Sequence, residues 1–544
     1  MPPPARSATR RPLWSGIDEQ AADVVAVAEM SDDDAVRSVT FGELAEDIRA
    51  VAAGLAATGV ASGDRVAVLV PPGIDLISVI YGCWLAGASV VVVDAGLGAR
   101  GMSRALKSAR PDHVIGISKA LVAARALRWP GQVISASELA PAARRALGVV
   151  ADLAEVRSRG EAAGLPQVDG SGDTEAAVLF TSGATGPAKG VVYRHHQLEA
   201  QRDAIASTYD IVATDRLVAA FAPFALAAPA LGITSVVPAM DVTKPGTLAA
   251  TALAAAVAAV DATLVFASPA ALANVIATAG ELDRDQHHAL DGVRILMSAG
   301  APVAPELLRA AQSLMPSAQA HTPYGMTETL PVADITIDAI EAAGQGNGVC
   351  VGPPIAGVEV GVLPLDGAGL PGRELVSEPD VTGEVCVRAA HGKQRYDKLW
   401  LTERRSRLPG GWHRTGDVGQ LDEAGRLWIG GRLVHVITTA GGPVTPVGIE
   451  RRVEQLGEVD MAAAVGVGPP GNQQIVVIVA GPTAGRRRVL ASLALGDAVR
   501  DAADVEVAAV LVLPKLPVDI RHNSKIDRTT LARFADAVLS GRRR

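Results

Sequence analysis

The sequence predicts an α/β protein. A large N-terminal domain, made of parallel-sheet α/β subdomains and a β-rich subdomain, precedes a small α+β C-terminal domain. Three observations carry this expectation. From Asp64 to Ser298, apolar runs of strand length alternate with stretches that are apolar at helical spacing. Beyond Gln345 the texture changes to shorter apolar runs cut by Gly and Pro. After Gly430-Gly431-Arg432 a new alternation of strands and helices begins, about the size of a domain. The boundaries are therefore set at residues 1–431 and 432–544.

Taken in order, DRVAVLV from Asp64 reads as a buried strand, Ile74 to Leu85 as a helix, and Ser89 to Val93 as a second strand. The Gly-, Glu- and Asp-rich segment from Asp152 to Asp173 reads as a surface connection. Buried strands follow at Ala176 to Phe180, Thr263 to Ala267 and Val293 to Ser298, each leading through Gly, Ser or Pro into a helix. Function is expected at the carboxyl ends of such strands. VGPPIAGVEVGVLP and GEVCVRA belong to the β-rich part. The C-terminal part reads as a helix from Gly448 to Leu456, strands Met461 to Val467 and Gln474 to Ala480, a helix near Val489 to Ala503, and a strand from Val505 to Leu513.

Composition narrows the class of function. The chain has 544 residues, 49% hydrophobic but only 3% aromatic, so its interior is packed with Ala, Val and Leu. A net charge of −8 argues against a nucleic-acid partner, and Arg486 to Arg488 read as a solvated loop. Cys83, Cys350 and Cys386 lie far apart without metal-ligand spacing, which suits a reducing cytoplasm. No apolar core follows the basic N-terminus as a secretory signal requires, and no run approaches the roughly 20 strongly apolar residues of a membrane span.

The most informative run is LFTSGATGPAKGVVYRHH, Leu179 to His196. It places Thr181, Ser182, Gly183, Thr185 and Gly186 directly after a buried strand, where backbone N–H groups and hydroxyls converge on an anion. Lys189 adds a point charge. The GK[ST] ending of a Walker A loop is missing, so the phosphate held here belongs to a different class of enzyme.

Four further segments join it: SAGAPV (Ser298 to Val303), YGMTE (Tyr324 to Glu328), RTGD (Arg414 to Asp417) with Gly431-Arg432, and HNSKIDR (His522 to Arg528). In this order and spacing the chain resembles the adenylate-forming superfamily of acyl-CoA synthetases, nonribosomal-peptide adenylation domains and luciferases. The resemblance implies ATP and Mg2+ as cofactors. It implies an adenine-side loop at Gly300, Ala301 and Pro302, a ring at Tyr324 stacking on the base, and Thr327 among the ATP-binding residues. Glu328 matches the magnesium and phosphate carboxylate. Asp417 matches the acceptor of both ribose hydroxyls, Arg432 a ribose or phosphate contact, and Lys525 the lysine that bridges developing charge during adenylation.

Departures from the superfamily pattern narrow the resemblance. Thioester-forming members carry a charged hinge residue two places after the Gly-Arg pair, where this chain has Val434. KGVVYRHHQLEAQ, FAPFALAAPALG, VVVDAGLG, TETLPVA and VDIRHNSKI are similar to the bacterial β-lactone synthetases of olefin and β-lactone biosynthesis. That likeness implies a 2-alkyl-3-hydroxy fatty acid substrate, closed by its own β-hydroxyl without an external thiol. It also makes neighbouring enzymes of one pathway candidate partners. Phe224, Ala225, Leu226 and Thr329 are expected to line an apolar substrate pocket. His195 is the candidate base, ahead of His196 and His435. A fatty acyl-CoA ligase is the alternative, and a non-catalytic adenylate binder ranks below it.

Overall fold

The computed structural model describes residues 10–31, 35–93, 95–181, 188–241, 243–481, 489–518 and 526–542. Two parallel-rich sheets form the body of the N-terminal part. The first has eight strands in the spatial order Arg395–Tyr396, Lys189–Arg194, Glu175–Thr181, Ser89–Val93, Arg65–Leu69, His113–Gly116, Gln132–Ser135 and Val149–Asp152. All its pairings are parallel except those of the Lys189–Arg194 strand. The second has seven strands, from Gln319–His321 through Ile295–Met297, Leu264–Phe266, Arg216–Ala219, Thr234–Val237 and Val25–Met30 to Val36–Thr40, and only the last pairs antiparallel. Continuous Val, Ile and Leu runs form these strands because helices cover both faces.

The texture change after Gln345 is real. An antiparallel sheet of five strands, Val349–Gly352, Leu427–Arg432, His413–Leu421, Gly383–Ala389 and Val358–Pro364, follows it. Beyond residue 436 come a hairpin (Ile437–Thr439 with Gly442–Val444), helix Pro446–Val453 and a three-stranded sheet of Met461–Val467, Gln474–Ala480 and Val507–Val512. This part has its own core around Ile449, Val453, Val477 and Val499.

One expectation fails. The segment from Asp152 to Asp173 opens with helix Leu153–Glu161, capped by the Asp152 carboxylate, which accepts from the backbone N–H of Glu155 at 2.9 Å. Glycine is there for close packing. A Cβ on Gly160 would lie 1.8 Å from the carbonyl oxygen of Ala50, and one on Gly54 equally close to that of Val156, so this helix and Phe41–Ala57 meet backbone to backbone. Glycine and charge in the sequence masked a buried helix face formed by Leu153 and Val156.

Candidate active site

Sheet register builds the first cluster. In the five-stranded sheet Asp417 stands opposite Arg432 across neighbouring strands. Arg432 Nε lies 3.0 Å from Asp417 Oδ1, while the Tyr324 hydroxyl donates to Oδ2 at 2.6 Å. Thr415 completes the cluster: its hydroxyl accepts from the Asp417 N–H, and its carbonyl accepts from Arg432 Nη1. Burial, reinforced by the adjacent carboxylate, pushes the Tyr324 hydroxyl well above its usual pKa, so it stays a donor. Gly431 adopts φ +141°, and a Cβ there would press on the Pro446 ring at 3.2 Å. Glycine is thus needed where the chain passes into the C-terminal part.

The second cluster surrounds Glu328. Tyr324 and Glu328 are joined by four peptide bonds of one hairpin, which caps the separation of their Cα atoms at about 13 Å. Glu328 Oε1 accepts a hydrogen bond from the Tyr396 hydroxyl at 2.5 Å, and its backbone carbonyl accepts from the N–H of Lys393 at 2.7 Å. The Tyr193 hydroxyl fixes the preceding residue by donating to the Thr327 carbonyl. Lys189, paired in register with Thr181 at the mouth of the glycine-rich loop, places its ammonium 5.2 Å from the centre of the Tyr396 ring. Lys393 lies 4.3 Å from the same centre.

Lys393 was missed in the sequence, as was Tyr396. The Lys393 side chain is only 5% exposed; its ammonium donates to Glu403 Oε2 at 2.7 Å, and that oxygen also accepts the Tyr396 N–H. Burial lowers the lysine's pKa, and the Glu403 charge works against that. Two ion pairs hold this strand in place. Asp397 pairs with Arg65 at 2.9 Å, and Arg65 with Glu175 at 2.8 Å. His413 presses its ring edge on Tyr396, and burial takes its pKa down to about 4. No motif marks these residues, because HGKQRY has no repeated spacing.

The adenine-side candidates Gly300, Ala301 and Pro302 lie in the loop after strand Ile295–Met297, with Gly300 at φ +100°. Next to them the buried Ser298 hydroxyl has no partner among the described residues, a polar atom left for a ligand at the carboxyl edge of the sheet. Thr181 ends its strand. Ser182, Gly183, Thr185, Gly186 and Lys525 lie outside the described residues.

The structure places the remaining candidates as follows. His195 sits just past the far end of strand Lys189–Arg194 from the glycine-rich loop, about 20 Å of extended chain from Lys189. It is wedged between Trp14 and Trp84, and burial lowers its pKa to about 4, making it a neutral core residue. Thr329 is 1% exposed and donates its hydroxyl to the Glu328 carbonyl, so it braces that turn instead of lining a pocket. In helix Ala222–Leu231, Phe224 stacks on Phe266 at 3.8 Å, Ala225 is buried, and the Leu226 carbonyl accepts a hydrogen bond from the Tyr81 hydroxyl. His196 faces the Gly172 carbonyl, and His435 is half-buried, which lowers its pKa to about 4.

Two charged clusters, one built on Tyr324 and the other on Glu328 of the same hairpin, have the makings of a nucleotide-activating enzyme. The chain belongs to the AMP-binding enzymes, whose family model matches residues 17–396. Within that family it is 37% identical over 519 residues to the olefin beta-lactone synthetase of Xanthomonas campestris pv. campestris, covering 92% of this chain and 91% of that protein. The corresponding synthetase of Stenotrophomonas maltophilia is 36% identical, with 91% and 90% covered. A long-chain fatty-acid–CoA ligase of Mycobacterium tuberculosis is 28% identical over 78% of this chain and 76% of its own. The fold matches an amide bond synthetase from Marinactinospora thermotolerans (TM-score 0.75, 24% identity, 96% and 98% covered) and the ATP-bound MatB from Rhodopseudomonas palustris (0.74, 18%, 97% and 99%). Among the described residues no helix is long and apolar enough to cross a membrane.

Proposed function

We propose that the chain is an ATP-dependent β-lactone synthetase acting on a 2-alkyl-3-hydroxy fatty acid. The likeness to two olefin beta-lactone synthetases over more than nine-tenths of the chain carries this reading. In the first half-reaction the substrate carboxylate attacks the α-phosphorus of ATP, giving acyl-AMP and pyrophosphate. In the second, the β-hydroxyl oxygen attacks the acyl carbon, its proton is lost, and AMP leaves. The nucleophile belongs to the same molecule, an advantage worth an effective molarity of up to about 10⁵ to 10⁸ M. No thiol carrier is required, which accords with Val434, uncharged and 68% exposed at the joint between residues 1–431 and 432–544.

The residues divide the work by charge. Lys189, with Thr181, Ser182, Gly183, Thr185 and Gly186, grips the departing pyrophosphate. Tyr324, Asp417 and Arg432 hold the nucleoside, and Ser298 offers its unpaired hydroxyl near Gly300. When bound, Mg2+ neutralises triphosphate charge, and Glu328 fits as its ligand: Tyr396 occupies Oε1, and Oε2 has no partner among the described residues. Lys525 stabilises the charge that develops on the α-phosphate.

Incubation with ATP, Mg2+ and a 2-alkyl-3-hydroxy acid, with and without CoA, tests the reading. A β-lactone formed equally well in both is expected, and an acyl-CoA with no lactone would overturn it in favour of a ligase. Lys525→Ala is expected to lower acyl-AMP formation by about 10²- to 10³-fold while ATP still binds, as followed by pyrophosphate exchange and ATP titration.

A further inference from the structure

Helix Trp400–Ser406 follows directly on the Tyr396 strand and turns an unusual face to solvent. At 3.6 residues per turn, Trp400, Leu401, Arg404 and Arg405 share one arc of the helix, and Thr402, Glu403 and Ser406 the opposite one. The inward arc is anchored, since Glu403 carries the buried pair with Lys393. Outward, Trp400 is 71% exposed and Leu401 43%, with Leu399 beside them. Arg404 and Arg405 are exposed and form no ion pair among the described residues, and Lys398 and Arg407 flank them. Two partly exposed leucines and a largely exposed tryptophan cost free energy in water, which a covering surface would recover at about 25 cal/mol per Å².

We infer that this face docks the protein on an anionic lipid surface, with Trp400 and Leu401 inserted at the headgroup boundary and Arg404 and Arg405 on the lipid phosphates. The charge argues for this occupant. The protein carries a net −8, yet this helix presents two guanidiniums with no ion-pair partner among the described residues and no exposed carboxylate. A second copy seated on the same patch by two-fold symmetry would bring arginine against arginine. Anionic lipid gains about 1 kcal/mol for each basic side chain near its surface, and tryptophan favours the boundary between water and acyl chains. At 7 residues the helix lies on a bilayer and does not cross it. Under the proposed function, the surface would bring the site to a substrate with two alkyl branches that resides in lipid. The docking itself does not depend on that reading.

Co-sedimentation of the full chain with vesicles tests the surface without ATP or substrate, so its outcome is separate from the lactone assay. Vesicles of phosphatidylglycerol and phosphatidylcholine are expected to pull down the protein at least about 10-fold better than phosphatidylcholine alone, with loss on raising salt. Arg404→Glu/Arg405→Glu and Trp400→Ala/Leu401→Ala should each lose about 10-fold, with melting temperatures unchanged because these side chains are exposed. Three results overturn the proposal: no sedimentation of the wild type, sedimentation unaffected by either double variant, or a dimer in sedimentation equilibrium that Trp400→Ala/Leu401→Ala converts to monomer, which would assign the patch to a second copy.

Discussion

The cluster proposed to hold the nucleoside and the cluster proposed to hold the phosphates, called here the nucleoside end and the phosphate end, are assembled by opposite strategies. At the nucleoside end the motif residues hold each other: Tyr324 and Arg432 each take one oxygen of Asp417, and sheet register brings two of the three together. At the phosphate end Lys189 and Glu328 form no bond with one another among the described residues but share Tyr396, which rests on the buried Lys393–Glu403 pair and on His413. A cluster closed on itself can lose one member and keep two. A cluster hung on an outside support loses its geometry when the support goes.

That contrast can be broken experimentally. The largest effect is expected from Tyr396→Phe, which frees Glu328 Oε1. It should raise the Mg2+ concentration for half-maximal pyrophosphate exchange by about 10- to 100-fold, the usual scale for residues that orient a metal ligand, with KM for the fatty acid little altered. An unchanged Mg2+ dependence would show that Glu328 needs no such support.

Next in size is a pH effect on stability. His413 has a pKa near 6.5 when unfolded and about 4 when folded, so the folded state binds fewer protons between those values. Its contribution is complete above pH 6.5 and is lost as the pH falls toward 4. By pH 5 the cost is about 2 kcal/mol. Urea unfolding of wild type and His413→Phe at pH 7 and pH 5 should show the stability difference shifting by that amount in favour of the variant; parallel behaviour would mean that the imidazole titrates normally. The smallest effect belongs to the nucleoside end. Tyr324→Phe leaves Arg432 on Asp417, and the KM for ATP should rise only about 3- to 10-fold, near the 0.5–1.5 kcal/mol of one hydrogen bond. A larger loss than that of Tyr396→Phe would reverse the comparison.

Legibility followed the same division. Tyr324, Asp417 and Arg432 stand in recognisable motifs, and the structure joins them. Tyr396, Lys393 and Glu403 support Glu328 from a stretch whose spacing means nothing until strand Arg395–Tyr396 is laid against Val191 and Val192. His195 misled for the converse reason. It lies six residues from Lys189 in the chain, but an extended strand carries it to the other edge of the sheet.

From the sequence alone came the α/β architecture, the change to an antiparallel sheet after Gln345, the family and the chemistry of the motif residues. These rest on local information: the period of apolar residues, and side chains whose chemistry is the same wherever they fold. Tertiary structure alone decided which lysine is buried, which histidine is neutral, that Leu153–Glu161 is a packed helix and that Trp400 and Leu401 face water. Those are properties of what lies around a side chain, set by contacts between residues hundreds of positions apart, such as Arg65 with Asp397.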